Sequence, residues 1–220
     1  GLSATVAPKD GHHPIIPMHC GPVRYRVSAK QHAAERPLTH SVLVRPTSFR
    51  NADAEARDMR IQFHDLYDAM IMDHKRNSMI CDDIEAVLRE GRKPMVLTER
   101  REHLELLGDL LSPRVRHLVV LQGGMGKRHL HEALARLAAI PEDEDRVLLA
   151  TGKYLGEGFD DARLDTLFLT MPISWHGTLA QYAGRLHRLH EGKRKVQVYD
   201  YVDNNEEMLE RMYHKRLKGY

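Results

Sequence analysis

Six short apolar runs punctuate the chain: SVLVRP (41–46), PMVLTE (94–99), HLVVLQ (117–122), RVLLAT (146–151), TLFLTM (166–171) and VQVYDY (196–201). Between them lie longer segments of helical period. Met59, Phe63, Leu66 and Met70 fall on one helix face. So do Ile80, Ile84, Val87 and Leu88, before Gly91 ends that helix. Leu104, Leu107 and Leu111 form a third stripe, and Leu130, Ala133, Leu134, Leu137 and Ala138 a fourth that runs into Pro141. Strand-like runs alternating with amphipathic helices predict an α/β fold, a mostly parallel sheet covered by helices. These stripes are read as core packing.

Composition narrows the class. A length of 220 residues suits one good-sized domain with an appendage. The first 35 or so residues stand apart, rich in Pro, Gly and His with only a strand-like PVRYRV, and read as a connector or the tail of a preceding domain. With 33 basic and 31 acidic residues, bulk charge argues for no nucleic-acid partner, so any such site must be local. Cys20 and Cys81 are far apart, which makes a disulfide framework or a cysteine-rich zinc site a poor expectation and fits a reducing cytoplasm. No run approaches the ~18 apolar residues of a membrane span, and no basic-then-apolar leader opens the chain. An opening GLSAT, without methionine, reads as a fragment of a longer polypeptide.

LQGGMGKRHL (121–130) has the look of a phosphate-binding loop, but Leu121 stands where that loop needs its first glycine and Arg128 where it needs a hydroxyl. Two other stretches carry more chemistry. In GTLAQYAGRLHRLHEG, Leu179, Tyr182, Ala183 and Leu186 make an apolar face, while Gln181, Arg185 and Arg188 share another at i, i+4 and i+7. Two neighbouring guanidinium groups repel unless an anion lies between them. The plainer reading is a solvated basic face, and the mid-helix Gly184, which costs about 1 kcal/mol relative to alanine, weighs against it. In ATGKYLGEGFD a strand ends at Thr151-Gly152 and a glycine-rich loop leads to Asp160. Ligands commonly sit at the carboxyl end of a parallel strand. Gly152, Gly156 and Gly158 permit close backbone approach, Thr151 and loop amides suit a phosphate, and Asp160 suits a ribose hydroxyl, against the plainer reading of turn geometry.

The order of these pieces resembles the second RecA-like domain of superfamily 2 helicases and translocases. ATGKYLGEGFD resembles their motif V and QYAGRLHR their motif VI. The opening Ser3-Ala4-Thr5 resembles motif III, which ends the first RecA-like domain, and MVLTERREHLELL is similar to the motif IV region. LQGGMGKRHLHEAL looks like the next strand and turn, near the nucleic-acid backbone in the family. With GEGFD and Gln181, the chain resembles the bacterial DEAD/DEAH and restriction-type helicases more than the RNA DEAD-box set.

The resemblance implies a division into residues 1–35, the tail of the first RecA-like domain and a connector, and 36–220, the second RecA-like domain. It implies ATP and Mg²⁺ bound in a cleft whose other wall, with the phosphate loop and acidic motif, belongs to the first domain. Arg185, Arg188 and Gln181 would be the catalytic set, with Gly156, Gly158 and Asp160 contacting nucleotide. Thr98, Gly123, Gly124, Lys127, Arg128 and Thr151 would contact nucleic acid, DNA by expectation and RNA as the alternative. Tyr182 departs from the family, where many relatives carry arginine. Trp175 is a candidate for base stacking against plain packing. The pairs His12-His13 and His19-Cys20 match no standard zinc spacing. Two other readings remain open: a non-enzymatic nucleic-acid-binding module, and the motor part of a restriction endonuclease.

Overall fold

The computed structural model describes residues 38–51, 59–152, 161–172, 186 and 188–217. All six apolar runs are strands: β1 (Thr39–Pro46), β2 (Pro94–Thr98), β3 (His117–Leu121), β4 (Arg146–Thr151), β5 (Thr166–Leu169) and β6 (Lys195–Val202). They form one six-stranded sheet in the order β1-β6-β5-β2-β4-β3, with every pairing parallel. Strands β2, β4 and β5 are buried throughout, whereas the edge strands β1 and β3 are partly exposed. Continuous apolar runs are what a sheet covered on both faces requires.

The predicted helices follow: α1 (Met59–Met72), α2 (His74–Arg89), α3 (Arg101–Leu111) and α4 (Lys127–Ala139). Asp73 caps α2 by accepting from the Arg76 amide at 2.9 Å, so α2 starts almost where α1 stops. At the other end Gly91 takes φ 73° and donates to the Leu88 carbonyl, ending α2 where its sequence predicts. A further helix, α5 (Glu207–Leu217), follows β6. Its apolar signal is thin: Leu209 and Met212 face inward together with Arg216, whose charge is met by Asp200 at 2.8 Å.

Strand alternation sends side chains to two cores. Val96, Val147, Leu149, Phe168 and Tyr201 pack against α2 and α3. Met95, Leu97, Leu148, Ala150, Leu167 and Val198 point the other way, to α4 and to Leu186. A third cluster gathers Phe49, Met171 and Leu209, which follow β1, β5 and β6, against Leu66, Tyr67, Met70 and Ile71 of α1. Helices α1 and α5 are thereby tied to the carboxyl edge of the sheet. No helix among the described residues is long and apolar enough to cross a membrane.

One ion pair lies inside this arrangement. Arg76 of α2 donates through Nε to Asp203, just past β6, at 3.0 Å, and Thr47, just past β1, donates its hydroxyl to the same carboxylate. Both charged side chains are 1% exposed. Removing one member of such a pair leaves the other charge buried alone. Asp203→Ala is therefore expected to lower stability by about 3–5 kcal/mol, read from urea unfolding; a loss below about 1 kcal/mol, the scale of an exposed pair, would show that water reaches Arg76.

Candidate nucleotide and nucleic-acid face

Helix α3, which follows β2, packs on one face of the sheet, and α4, which follows β3, on the opposite face. The carboxyl edge of the strands is the usual ligand position in an open parallel sheet. Three threonines line up along it. Thr98 and Thr151 are register partners at the ends of β2 and β4, and the Leu97–Leu169 pairing sets Thr170 on the other side of Thr98. The Gly152 amide donates to the Thr98 carbonyl, and the Thr170 amide and hydroxyl both donate to the Leu97 carbonyl, at 3.0 and 2.7 Å. Thr170 was not among the residues singled out by sequence; its signal was only that it ends an apolar run as Thr98 and Thr151 do.

The QGGMG turn sits against this row. Gly123 donates its amide to the Thr151 hydroxyl at 3.0 Å, which joins the end of β3 to the end of β4. Gly124 adopts φ 85°, a conformation that a side chain would strain, and so turns the chain towards α4. Helix α4 begins at Lys127 with Gly126 as an N-cap that supplies no side-chain bond, leaving its first amides open to an anion. Lys127 is exposed, and Arg128 is exposed with its Nε 2.8 Å from Glu132. The structure thus brings Gly123, Gly124, Lys127, Arg128 and Thr151 together at one edge.

Thr98 belongs to the same edge but is turned inward. It is 2% exposed, and its hydroxyl lies 3.0 Å from His103 Nδ1. His103 Nε2 lies 3.0 Å from Asn77 Oδ1, and Asn77 Nδ2 donates to the Ile71 carbonyl at 2.7 Å. The direction of the chain follows from its last member. A carbonyl only accepts, so Asn77 presents its oxygen to His103, the Nε2–H donates, and Nδ1 accepts from Thr98. Expected as a nucleic-acid contact, Thr98 in this structure supports the face from beneath. Burial, and secondarily the Arg76 charge, push the His103 pKa down to about 3, so the ring is neutral at working pH.

Of the three residues expected to be catalytic, Arg188 alone lies within the described residues. Leu186 is fully buried with Val196 and Val198, while Arg188 is exposed. Leu186 thus belongs to the apolar face predicted for it, and the basic face is described at Arg188 alone. Gln181, Arg185, Gly156, Gly158 and Asp160 lie outside the described residues, as do Ser3, Ala4, Thr5, Trp175, Tyr182, Gly184, PVRYRV and the pairs His12-His13 and His19-Cys20. Among the described residues no group of three His, Cys, Asp or Glu is placed to hold a metal ion.

Comparison with solved structures bears on the arrangement as a whole. The chain is similar to T4 UvsW, at 16% identity and a TM-score of 0.61 over 84% of this chain and 39% of that one. It is also similar to the C-terminal part of the Fun30 ATPase domain, at 14% identity and a TM-score of 0.57 over 66% of this chain and 46% of that one. The fold is that of a RecA-like helicase domain. At these identities the likeness concerns the fold, and this RecA-like chain spans less than half the length of either structure. No protein-family model and no curated protein matches the sequence.

The buried relay gives this RecA-like domain an acid sensitivity. His103 has a folded pKa near 3 against an ordinary value near 6.5, so its contribution to stability is complete above about pH 6.5 and is lost as pH falls towards 3. His103→Gln, which cannot take up the proton, is expected to flatten that acid slope in urea unfolding. An imidazole NMR titration with a midpoint at an ordinary histidine value would remove the basis for the relay.

Proposed function

We propose that this chain is the second motor domain of an ATP-dependent DNA helicase or translocase of superfamily 2. The observation that carries the reading is the RecA-like fold, borne by a chain whose one phosphate-loop look-alike lacks the defining glycine and hydroxyl. Half of a two-walled ATP cleft has this character. The other wall, with the phosphate loop and the carboxylates for magnesium, belongs in the proposal to a first RecA-like domain of the same polypeptide. Bound magnesium would neutralise phosphate charge there. The restriction-type subgroup, with a nuclease elsewhere in the polypeptide, fits the GEGFD and Gln181 wording.

The work left to this chain is electrostatic and positional. Arg185 and Arg188 meet charge that builds on the γ-phosphate as the cleft closes, and Gln181 orients the reacting groups beside them. Asp160 accepts from a ribose hydroxyl, with Gly156 and Gly158 letting the backbone approach. Along the carboxyl edge, Thr151, the Gly124 turn and the amides at the start of α4 hold a nucleic-acid backbone, aided by Lys127 and Arg128. Gly123 acts indirectly, because its amide is already bonded to Thr151. Each closure shifts this grip relative to that of the first domain.

Two measurements test the proposal. In the protein carrying both motor domains, Arg188→Ala is expected to cut ATP turnover by roughly 10³-fold or more while nucleotide affinity falls far less. Lysine at that position should rescue poorly, since it lacks the guanidinium fork. Near-parental turnover in the alanine variant would leave a nucleic-acid-binding module as the better reading. Replacing both Lys127 and Arg128 with alanine is expected to reduce the salt slope of single-strand binding by up to about two units. An unchanged slope would move the nucleic-acid path away from α4.

A further inference from the structure

The turn that follows QYAGRLHR is closed by a lysine. Lys193 donates its amide to the His190 carbonyl at 3.1 Å, and its side chain reaches back across the turn. Its Nζ bonds two main-chain carbonyls at once, those of Arg188 and Ala162, each at 3.0 Å. Ala162 lies two residues beyond Asp160, where the chain leaves the glycine-rich loop.

That second attachment point is itself fixed. Arg163 grips Asp161 through Nε and Nη2 at 2.8 and 2.9 Å, and donates to the Leu137 and Ile140 carbonyls at the end of α4. On the other side His190 lies 3.2 Å from Glu142, in the turn between α4 and β4. One half-buried ammonium therefore joins the main chain of Arg188 to a segment already anchored to α4. Leu186, two residues before Arg188, is anchored in the core.

We propose that Lys193 is a positioning residue, which sets the reach of the Arg188 guanidinium by holding the Arg188 carbonyl to the segment leaving the glycine-rich loop. The inference rests on the role given to Arg188 above. An arginine that must meet charge developing in a transition state acts only from the right distance. A main-chain displacement of about 1 Å can cost as much as 10²-fold in rate.

The ammonium is also the part of this arrangement that titrates. Burial lowers its pKa to about 8, opposed by Asp165 and Asp161 and reinforced by Arg92, with His190 and Glu142 on the neighbouring turns. An ammonium bonds a carbonyl more strongly than a neutral amine does, so loss of the proton loosens the tie. Stability moves the opposite way. The folded pKa is depressed, so the unfolded chain holds the proton more tightly, and the contribution of Lys193 to stability grows as pH rises from about 8 towards the ordinary value of 10.5. A purely structural lysine would show the second effect without a loss of turnover.

The test uses the protein with both motor domains and follows kcat, KM for ATP and melting temperature between about pH 6.5 and 9.5. The wild type is expected to lose turnover through a midpoint near 8 without a matching fall in melting temperature. K193M is expected to lower kcat by about 10- to 100-fold with KM little changed, and to lack the step. K193R stays charged, so it is expected to retain most of the turnover and also lack the step; it carries the test if K193M does not fold. In the 220-residue chain, the Arg188 and Ala162 carbonyl ¹³C resonances are expected to titrate together near pH 8. Superimposable wild-type and K193R pH profiles, or parental kcat in K193M, would overturn the inference, as would carbonyl resonances that do not titrate together. A wild-type protein without ATP turnover would instead sink the motor reading, and the carbonyl titration would still report on the tie.

Discussion

Everything in this domain depends on a constraint of parallel pairing: each strand must enter at one edge of the sheet and leave at the other. Six parallel strands therefore deliver six chain exits to the same edge. Both faces are occupied by helices, so the interior is apolar and the chemistry is displaced to that edge. Thr98, Thr151 and Thr170 are neighbours because their strands are, although they are scattered over more than seventy residues of sequence. The QGGMG turn, which follows β3, settles against the end of β4, where the Gly123 amide meets the Thr151 hydroxyl.

The edge is kept in shape by bonds that run beneath it. A neutral histidine, an asparagine and a main-chain carbonyl orient Thr98, so the end of β2 is held by α2 and α3. Beyond the Leu121–Ala150 pairing, the ends of β3 and β4 are also joined by the bond from the Gly123 amide to the Thr151 hydroxyl. On the far side, Arg163 binds carbonyls at the end of α4, and Lys193 binds those of Arg188 and Ala162. Polar contacts thus join the strand ends at the rim, and the apolar layers supply the bulk of the burial.

The strands were legible because a doubly covered parallel sheet needs continuous apolar runs, and Pro, Gly and charged residues bound those runs here. Their order was not, because the six runs carry no label saying which lies beside which. α5 escaped notice for a local reason: its inward face includes Arg216, and that arginine is tolerable only because Asp200, sixteen residues earlier, meets it. The QGGMG turn and the start of α4 at Lys127 could be read directly, since the glycines and the following amphipathic stripe are contiguous. The inward turn of Thr98 could not, because it depends on His103 and Asn77, the latter on another helix. Arg188 was readable as an outward residue from its spacing to Leu186, whereas the tie through Lys193 depends on Ala162, distant in sequence.

The Arg76 and Asp203 pair has a consequence for how this sequence can drift. One guanidinium nitrogen, Nη1, is buried without a hydrogen-bond partner, so the pair is not an optimal solution to filling that space. An apolar pair of similar volume is often as stable as a buried ion pair, or more so. Yet each path from one solution to the other passes through an intermediate with a lone buried charge. Mutation one step at a time is therefore blocked in both directions, and the pair acts as a historical lock: a contact retained because leaving it demands two changes at once.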